Sequence, residues 1–144
     1  MTSWTDVATR APELASAVRA TFAARKHATM ATVAANGAPR ISGTEVEFGP
    51  DGQIYLGMMP GTRRAADLRR EPRVALHSPT VDPPAEDAQA WPGEGKISAH
   101  AVEVKPDRFR LDIDTVVLTE VAGDVLRITR WRAADSDVAV FHRD

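Results

Sequence analysis

The chain has no cysteine, which excludes a disulfide framework, a thiolate metal site and a cysteine nucleophile together. Aromatic residues are sparse, at 6%. Neither sign of charge is in marked excess. Eighteen Lys and Arg stand against twenty Asp and Glu, for a formal net charge of -2. A chain so balanced is not a bulk electrostatic binder of nucleic acid or anionic membrane. Long apolar runs are absent. The longest stretch free of Asp, Glu, Lys and Arg runs from His27 to Pro39, too short to span a bilayer. The amino-terminal residues lack a basic start followed by an apolar run, so no secretory signal is expected and the expected location is cytoplasmic. What remains is ordinary globular material: 144 residues, 43% hydrophobic and 26% charged, expected to form one domain over 1–144.

Residues 1–26 are expected to form an amino-terminal helix, with Pro12 in a first turn and Leu14, Val18 and Phe22 on one apolar stripe. From His27 the pattern turns to strands. His27–Val33 and a return strand over Pro39–Phe48 flank Asn36-Gly37, a hairpin signal. On the return strand Ile41, Gly43, Glu45 and Glu47 alternate with Ser42, Thr44, Val46 and Phe48. Further strands are expected over 53–57, 73–78, 96–105, 109–121 and 125–132, with a frayed edge strand over 137–144. Leu111, Ile113, Val116, Val117 and Leu118 are the expected core residues of the longest of them. Residues 79–95 hold four prolines and Trp91 and read as a long surface loop. Many short antiparallel strands with two short helices suggest a closed or partly closed barrel.

The most informative segment is Gly61–Arg73, with five arginines. A short helix is expected from Thr62, a suitable N-cap, to Arg70, before Pro72. Arg69 and Arg70 suit the negative end of the helix dipole. Arg63 and Arg64 sit at the positive end, where cations are disfavoured. A bound anion would resolve that conflict, because first-turn N–H groups, the Thr62 hydroxyl and two guanidiniums can converge on one phosphate. Gly61 lets the backbone approach closely. Two solvated surface arginines are the alternative explanation. The cluster has no interleaved aromatics, which argues against a nucleic-acid surface.

Thr62-Arg63-Arg64-x-x-x-Leu68-x-x-x-Pro72 resembles the phosphate-holding helix of the pyridoxamine 5'-phosphate oxidase-like family, also called the flavin or deazaflavin split-barrel family. The Ala31-Thr32-Val33 to Gly37-Ala38-Pro39 hairpin is similar to that family's opening hairpin, and Phe109–Ile113 with Val116–Leu118 to its closing barrel strand. The resemblance implies a mainly β, α+β fold: a six-stranded antiparallel split β-barrel with short flanking helices. It also implies a homodimer with a cofactor between subunits. Members use FMN or the deazaflavin coenzyme F-420, a few bind haem, and some lack demonstrated activity. Carried over, Gly61, Thr62, Arg63 and Arg64 hold the phosphate, Ser42 faces the cofactor, and Met58 and Pro60 lie near its ring. The second strand departs from vitamin B6 oxidases by offering Ser42, Thr44, Glu45 and Glu47 where they carry basic residues, which argues against that activity. Leu68-Arg69-Arg70-Glu71-Pro72-Arg73 is similar to the deazaflavin-using branch and favours F-420 over FMN.

The resemblance thus implies hydride transfer between a bound F-420 or FMN and a small conjugated substrate. The alternative is a non-catalytic flavin-, deazaflavin- or haem-binding protein of the same fold. No triad is present, so the catalytic residue stays open, with His77 and Tyr55 as candidate proton donors. His27, His77, His100 and His142 show no metal spacing. His77 or His100 is the ligand candidate should the group be haem. Trp91 is read as a lid or dimer anchor, Trp4 and Trp131 as packing residues, and Asp67 as a partner of a neighbouring arginine. Met58 and Met59 otherwise read as gap-filling residues.

Overall fold

A computed structural model describes residues 1–144. Two helices, not one, open the chain: α1 (Trp4–Arg10) and α2 (Pro12–Ala23). The break follows from sequence. Ser3 and Asp6 form a reciprocal capping box that starts α1, and Pro12 starts α2 one residue after Ala11 leaves helical geometry. Trp4, Val7, Leu14, Val18 and Phe22 are buried. Gly95 makes that packing possible: a Cβ there would sit 2.5 Å from Thr21 Oγ1 and 3.0 Å from Val18 Cγ1.

Nine antiparallel strands follow: β1 (Ala28–Val33), β2 (Pro39–Thr44), β3 (Val46–Phe48), β4 (Ile54–Gly57), β5 (Arg73–His77), β6 (Glu94–Lys105), β7 (Arg108–Ala122), β8 (Val125–Arg132) and β9 (Asp137–Arg143). Helix α3 (Arg63–Arg70) stands between β4 and β5. The main path runs β2-β1-β5-β6-β7-β4-β3, with β8 and β9 continuing from β7. The two ends of the path, β2 and β3, are consecutive in the chain. What reads as one strand over 39–48 changes partner at Glu45, from β1 to β4. The sheet therefore curls into an unclosed split barrel of the α+β type. Its strand number exceeds the expected six because of that division and the β8–β9 extension.

The β1–β2 hairpin turns at Asn36-Gly37, where Gly37 has φ +84° and Asn36 Oδ1 accepts from the Ala38 N–H. Strand β7 carries much of the core through Phe109, Leu111, Ile113, Val116 and Leu118. The step from 113 to 116 breaks a two-residue period. A bulge where Ser98 pairs with Thr115 but Ala99 pairs with Ile113 supplies the extra residue. Val117 consequently faces outward and is half-buried, a correction to its expected core place. The loop expected over 79–95 ends at Gly93, since Glu94 and Gly95 already pair with β7, and it contains a 3-10 turn at Ala88–Ala90. No helix is long and apolar enough to cross a membrane.

Candidate functional site

Helix α3 starts as the sequence implies. Gly61 takes φ +78°, and Thr62, extended at φ -74° and ψ 148°, accepts from the Ala65 N–H through Oγ1 at 3.4 Å. Ala65 and Leu68 are buried and seat the helix on the inner side of β1. Asp67 joins them, only 2% exposed, as a charged group facing inward. Its carboxylate accepts from Thr32 Oγ1 at 2.8 Å, from Arg40 Nε at 2.7 Å and from an Arg70 N–H at 3.1 Å. Arg70 also donates to the Val33 carbonyl at 2.6 Å. Burial by itself would raise the Asp67 pKa. The hydrogen bonds from Arg40, Thr32 and Arg70 outweigh it and hold the group at about 2.

The arginines then divide. Arg40 and Arg70 share Asp67. Arg69 bonds Glu103 at 2.6 Å and Asp107 at 2.9 Å, and Arg73 bonds Glu71 at 2.9 Å. Arg63 and Arg64, on the first turn of α3, have neither a carboxylate nor a hydrogen-bond acceptor among the interactions that hold the other four. The Nε of Arg64 is buried with no partner at all. Both residues lie on the first turn of α3, at the positive end of its dipole, a place that suits an anion.

On β2, Arg40, Ser42 and Thr44 point inward, while Ile41 and Gly43 are exposed, as is Glu45 just after it. Ser42 pairs with Met30 and is half-buried. Both doubtful carboxylates face away from α3's partners: Glu45 meets Lys26 and His27, and Glu47 meets Arg108. Met58 packs partly against the core, whereas Pro60 and Gly61 are exposed and Met59 is 72% exposed. The remaining candidates are engaged elsewhere. His77 Nδ1 lies 2.7 Å from the Ser78 carbonyl and its Nε2 lies 3.0 Å from Glu94. Tyr55 donates to Asp51 beneath the Arg108 guanidinium, in a pocket shared with Val104 rather than with α3. His100 pairs with Asp114 at 2.7 Å. Trp91 donates to the Val81 carbonyl within its own loop. Trp4 and Trp131 are buried, as packing residues should be.

The sequence reading of β2 missed Arg40, a basic residue on that strand. The signal was present: Arg40 has the same parity as Ser42 and Thr44, and Asp67 is the one acid between Arg63 and Arg70. Of the three principal concavities, the largest is about 960 Å³ and lies between α1–α2 and the β3–β4 hairpin. None of the three is lined by Thr62, Arg63 or Arg64; Arg63 is exposed, and Thr62 and Arg64 are half-buried.

The family model for pyridoxamine 5'-phosphate oxidase matches residues 14–112. The chain belongs to that family. Among curated proteins, none matches significantly. Similar solved structures include a pyridoxamine 5'-phosphate oxidase-related, FMN-binding protein of Nostoc punctiforme. It is 10% identical with TM-score 0.63, and the match covers 93% of this chain and 96% of that one. PhzG of Burkholderia lata, in complex with tetrahydrophenazine-1-carboxylic acid, is 12% identical with TM-score 0.64, covering 94% and 90%. A heme-binding protein of Mycobacterium smegmatis is 13% identical with TM-score 0.59, covering 83% of this chain and 58% of that one. These likenesses establish a shared fold across proteins of differing ligands.

Proposed function

We propose that this protein is an oxidoreductase that anchors a phosphate-bearing flavin or deazaflavin at the amino terminus of α3. The cofactor passes a hydride to or from a small conjugated organic substrate. One observation carries the reading: of the six arginines gathered on and around α3, the two on its first turn are the two left without a carboxylate. The residues fit the group. Arg63 and Arg64 supply charge, the free first-turn N–H groups and the Thr62 hydroxyl supply further donors, and Gly61 leaves backbone open to approach. Ser42 on β2 and Met58 and Pro60 before α3 would border the ring. Coenzyme F-420 is favoured over FMN by the sequence Leu68–Arg73.

When bound, the cofactor supplies the hydride chemistry. The chain's part is to hold the phosphate and to seat one face of the ring. His77 and Tyr55 are both engaged by other oxygens, so the accompanying proton comes from solvent in this reading. Two copies of the chain complete the site. One row across the outward face of β2, β1, β5 and β6 is small or neutral, Ile41 beside Ala31 beside Ala75 beside Ser98, flanked by Arg73, His100, His77 and Lys96. Ile41 is 75% exposed there, which suits contact with a second copy better than contact with water.

The absorbance spectrum of protein purified from a host that makes both FMN and F-420 tests the assignment. A retained flavin or deazaflavin chromophore supports it. Colourless protein that binds neither cofactor on titration refutes it. Steady-state turnover of quinones or nitroaromatics with reduced cofactor separates the enzyme from a non-catalytic carrier, and a haem Soret band in place of either chromophore would favour the haem-binding alternative.

A further inference from the structure

Asp67 belongs to none of the roles described so far, yet it is the most deeply buried charge in the molecule's arginine cluster. It stands three residues after Arg64 and four after Arg63, which puts it on the same side of α3, one turn further along. Its three donors come from three separate elements: Thr32 from β1, Arg40 from β2 and Arg70 from α3 itself. Arg40 lies two residues from Ser42 on the same inward face of β2. One carboxylate therefore ties together the two elements that carry the candidate cofactor residues, β2 with Ser42 and α3 with Thr62–Arg64.

We infer that Asp67 is a positioning residue for the anion site: it fixes the rotation and axial register of α3 on the β1–β2 hairpin, so that Arg63 and Arg64 face the same phosphate as the first-turn N–H groups. The inference rests on the function proposed above. Three features support it. The hydrogen bonds to Asp67 are charge-assisted or fully buried, which makes them directional and costly to misalign. Arg70 takes a second bond to the Val33 carbonyl, so the far end of α3 is pinned by the same network. Ala65 and Leu68 supply apolar seating only, which a helix can satisfy over a range of rotations. The polar network removes that latitude.

Asp67 also matters by what it takes away. By bonding Arg40 and Arg70 it engages the donors of both cations and offsets one of their two charges, while Arg69 and Arg73 pair with other acids, so the guanidiniums left without a carboxylate are those of the first turn. A phosphate is then drawn to one place rather than spread along the helix.

The test compares FMN with riboflavin, which has the same ring and no phosphate. The ratio of their dissociation constants isolates the phosphate's contribution. In the native protein that ratio is expected to reach about 100-fold, as two or more charge-assisted hydrogen bonds imply. Asp67→Ala should contract it by roughly 10-fold or more while riboflavin affinity holds, because about half of such bonds would be misplaced. Thr32→Val removes one donor of the network without exposing a buried charge, and should contract the ratio in the same direction. It keeps the test available if Asp67→Ala does not fold. A residue with only a structural role would lower stability without moving the ratio. An unchanged ratio in both variants, or equal loss of both ligands from folded protein, overturns the inference. Should the native protein prefer deazaflavins, the same comparison runs between coenzyme F-420 and its phosphate-free ring-bearing precursor. A native ratio near one with either pair instead overturns the phosphate assignment itself, an outcome separate from any effect of Asp67.

Discussion

Acid titration of the buried Asp67 network gives the sharpest physical prediction. In the folded protein the carboxyl is held at about 2, against an ordinary value of 3.8. Burial opposes that depression, and the bonds from Arg40, Thr32 and Arg70 produce it. A group whose folded pKa lies below its unfolded value contributes stability that is complete above the unfolded value. That stability is lost as pH falls through the folded one. The window therefore runs from about pH 4 down to about pH 2, and the amount at stake is roughly 2 kcal/mol. Urea unfolding at a series of pH values measures it directly. Other carboxylates titrate in the same range, Glu103 among them, held at about 2 chiefly by its hydrogen bonds from Arg69. The quantity to read is hence the difference between the native chain and Asp67→Asn, which keeps the shape and removes the ionisation. The two stability curves should converge by roughly 2 kcal/mol between pH 4 and pH 2. Curves that stay parallel through that window would refute the argument that the network holds an ionised carboxylate.

Three further outcomes follow from the same geometry. Arg69 already has Glu103 and Asp107, so Arg69→Ala should leave FMN or F-420 affinity within about twofold of native; fluorescence titration checks this. Gly95→Val would drive a side chain into Thr21 and Val18, costing about 1–3 kcal/mol by thermal or urea unfolding. Ile41→Glu should reduce the mass seen by sedimentation from two chains to one and weaken cofactor binding with it, since the exposed face at Ile41 is proposed to meet a second copy.

Much of the fold was legible because it rests on local rules. Asn36-Gly37 specified a hairpin, Thr62 and Pro72 bracketed α3, and the alternation over 39–48 set Glu45 and Glu47 on the face opposite Ser42 and Thr44. The misreadings share a cause, which is that partner choice is not local. Nothing at Glu45 announces that the strand leaves β1 for β4. Contiguous Val116, Val117 and Leu118 conceal a bulge that becomes visible once β6 is beside them. The Ser3–Asp6 capping box that starts α1 and Pro12 that starts α2 were, by contrast, readable as two helix starts. For the proposed site, sequence singled out the first turn of α3 but not why Arg63 and Arg64 are the arginines left without a carboxylate. That reason lies in long-range pairs, Arg40 with Asp67 and Arg69 with Glu103, separated by 27 and 34 residues. His77 and Tyr55 were candidate proton donors by residue type alone; in the fold Tyr55 donates to Asp51, and His77 meets the Ser78 carbonyl and Glu94.

The most direct measurement is the affinity of FMN and of coenzyme F-420 for the native chain and for the Arg63→Ala, Arg64→Ala double variant, by fluorescence titration at fixed ionic strength. The account predicts tight binding of at least one cofactor by the native protein and a loss of roughly 100-fold in the variant, from two or more charge-assisted bonds. Equal affinities in a folded variant would contradict it.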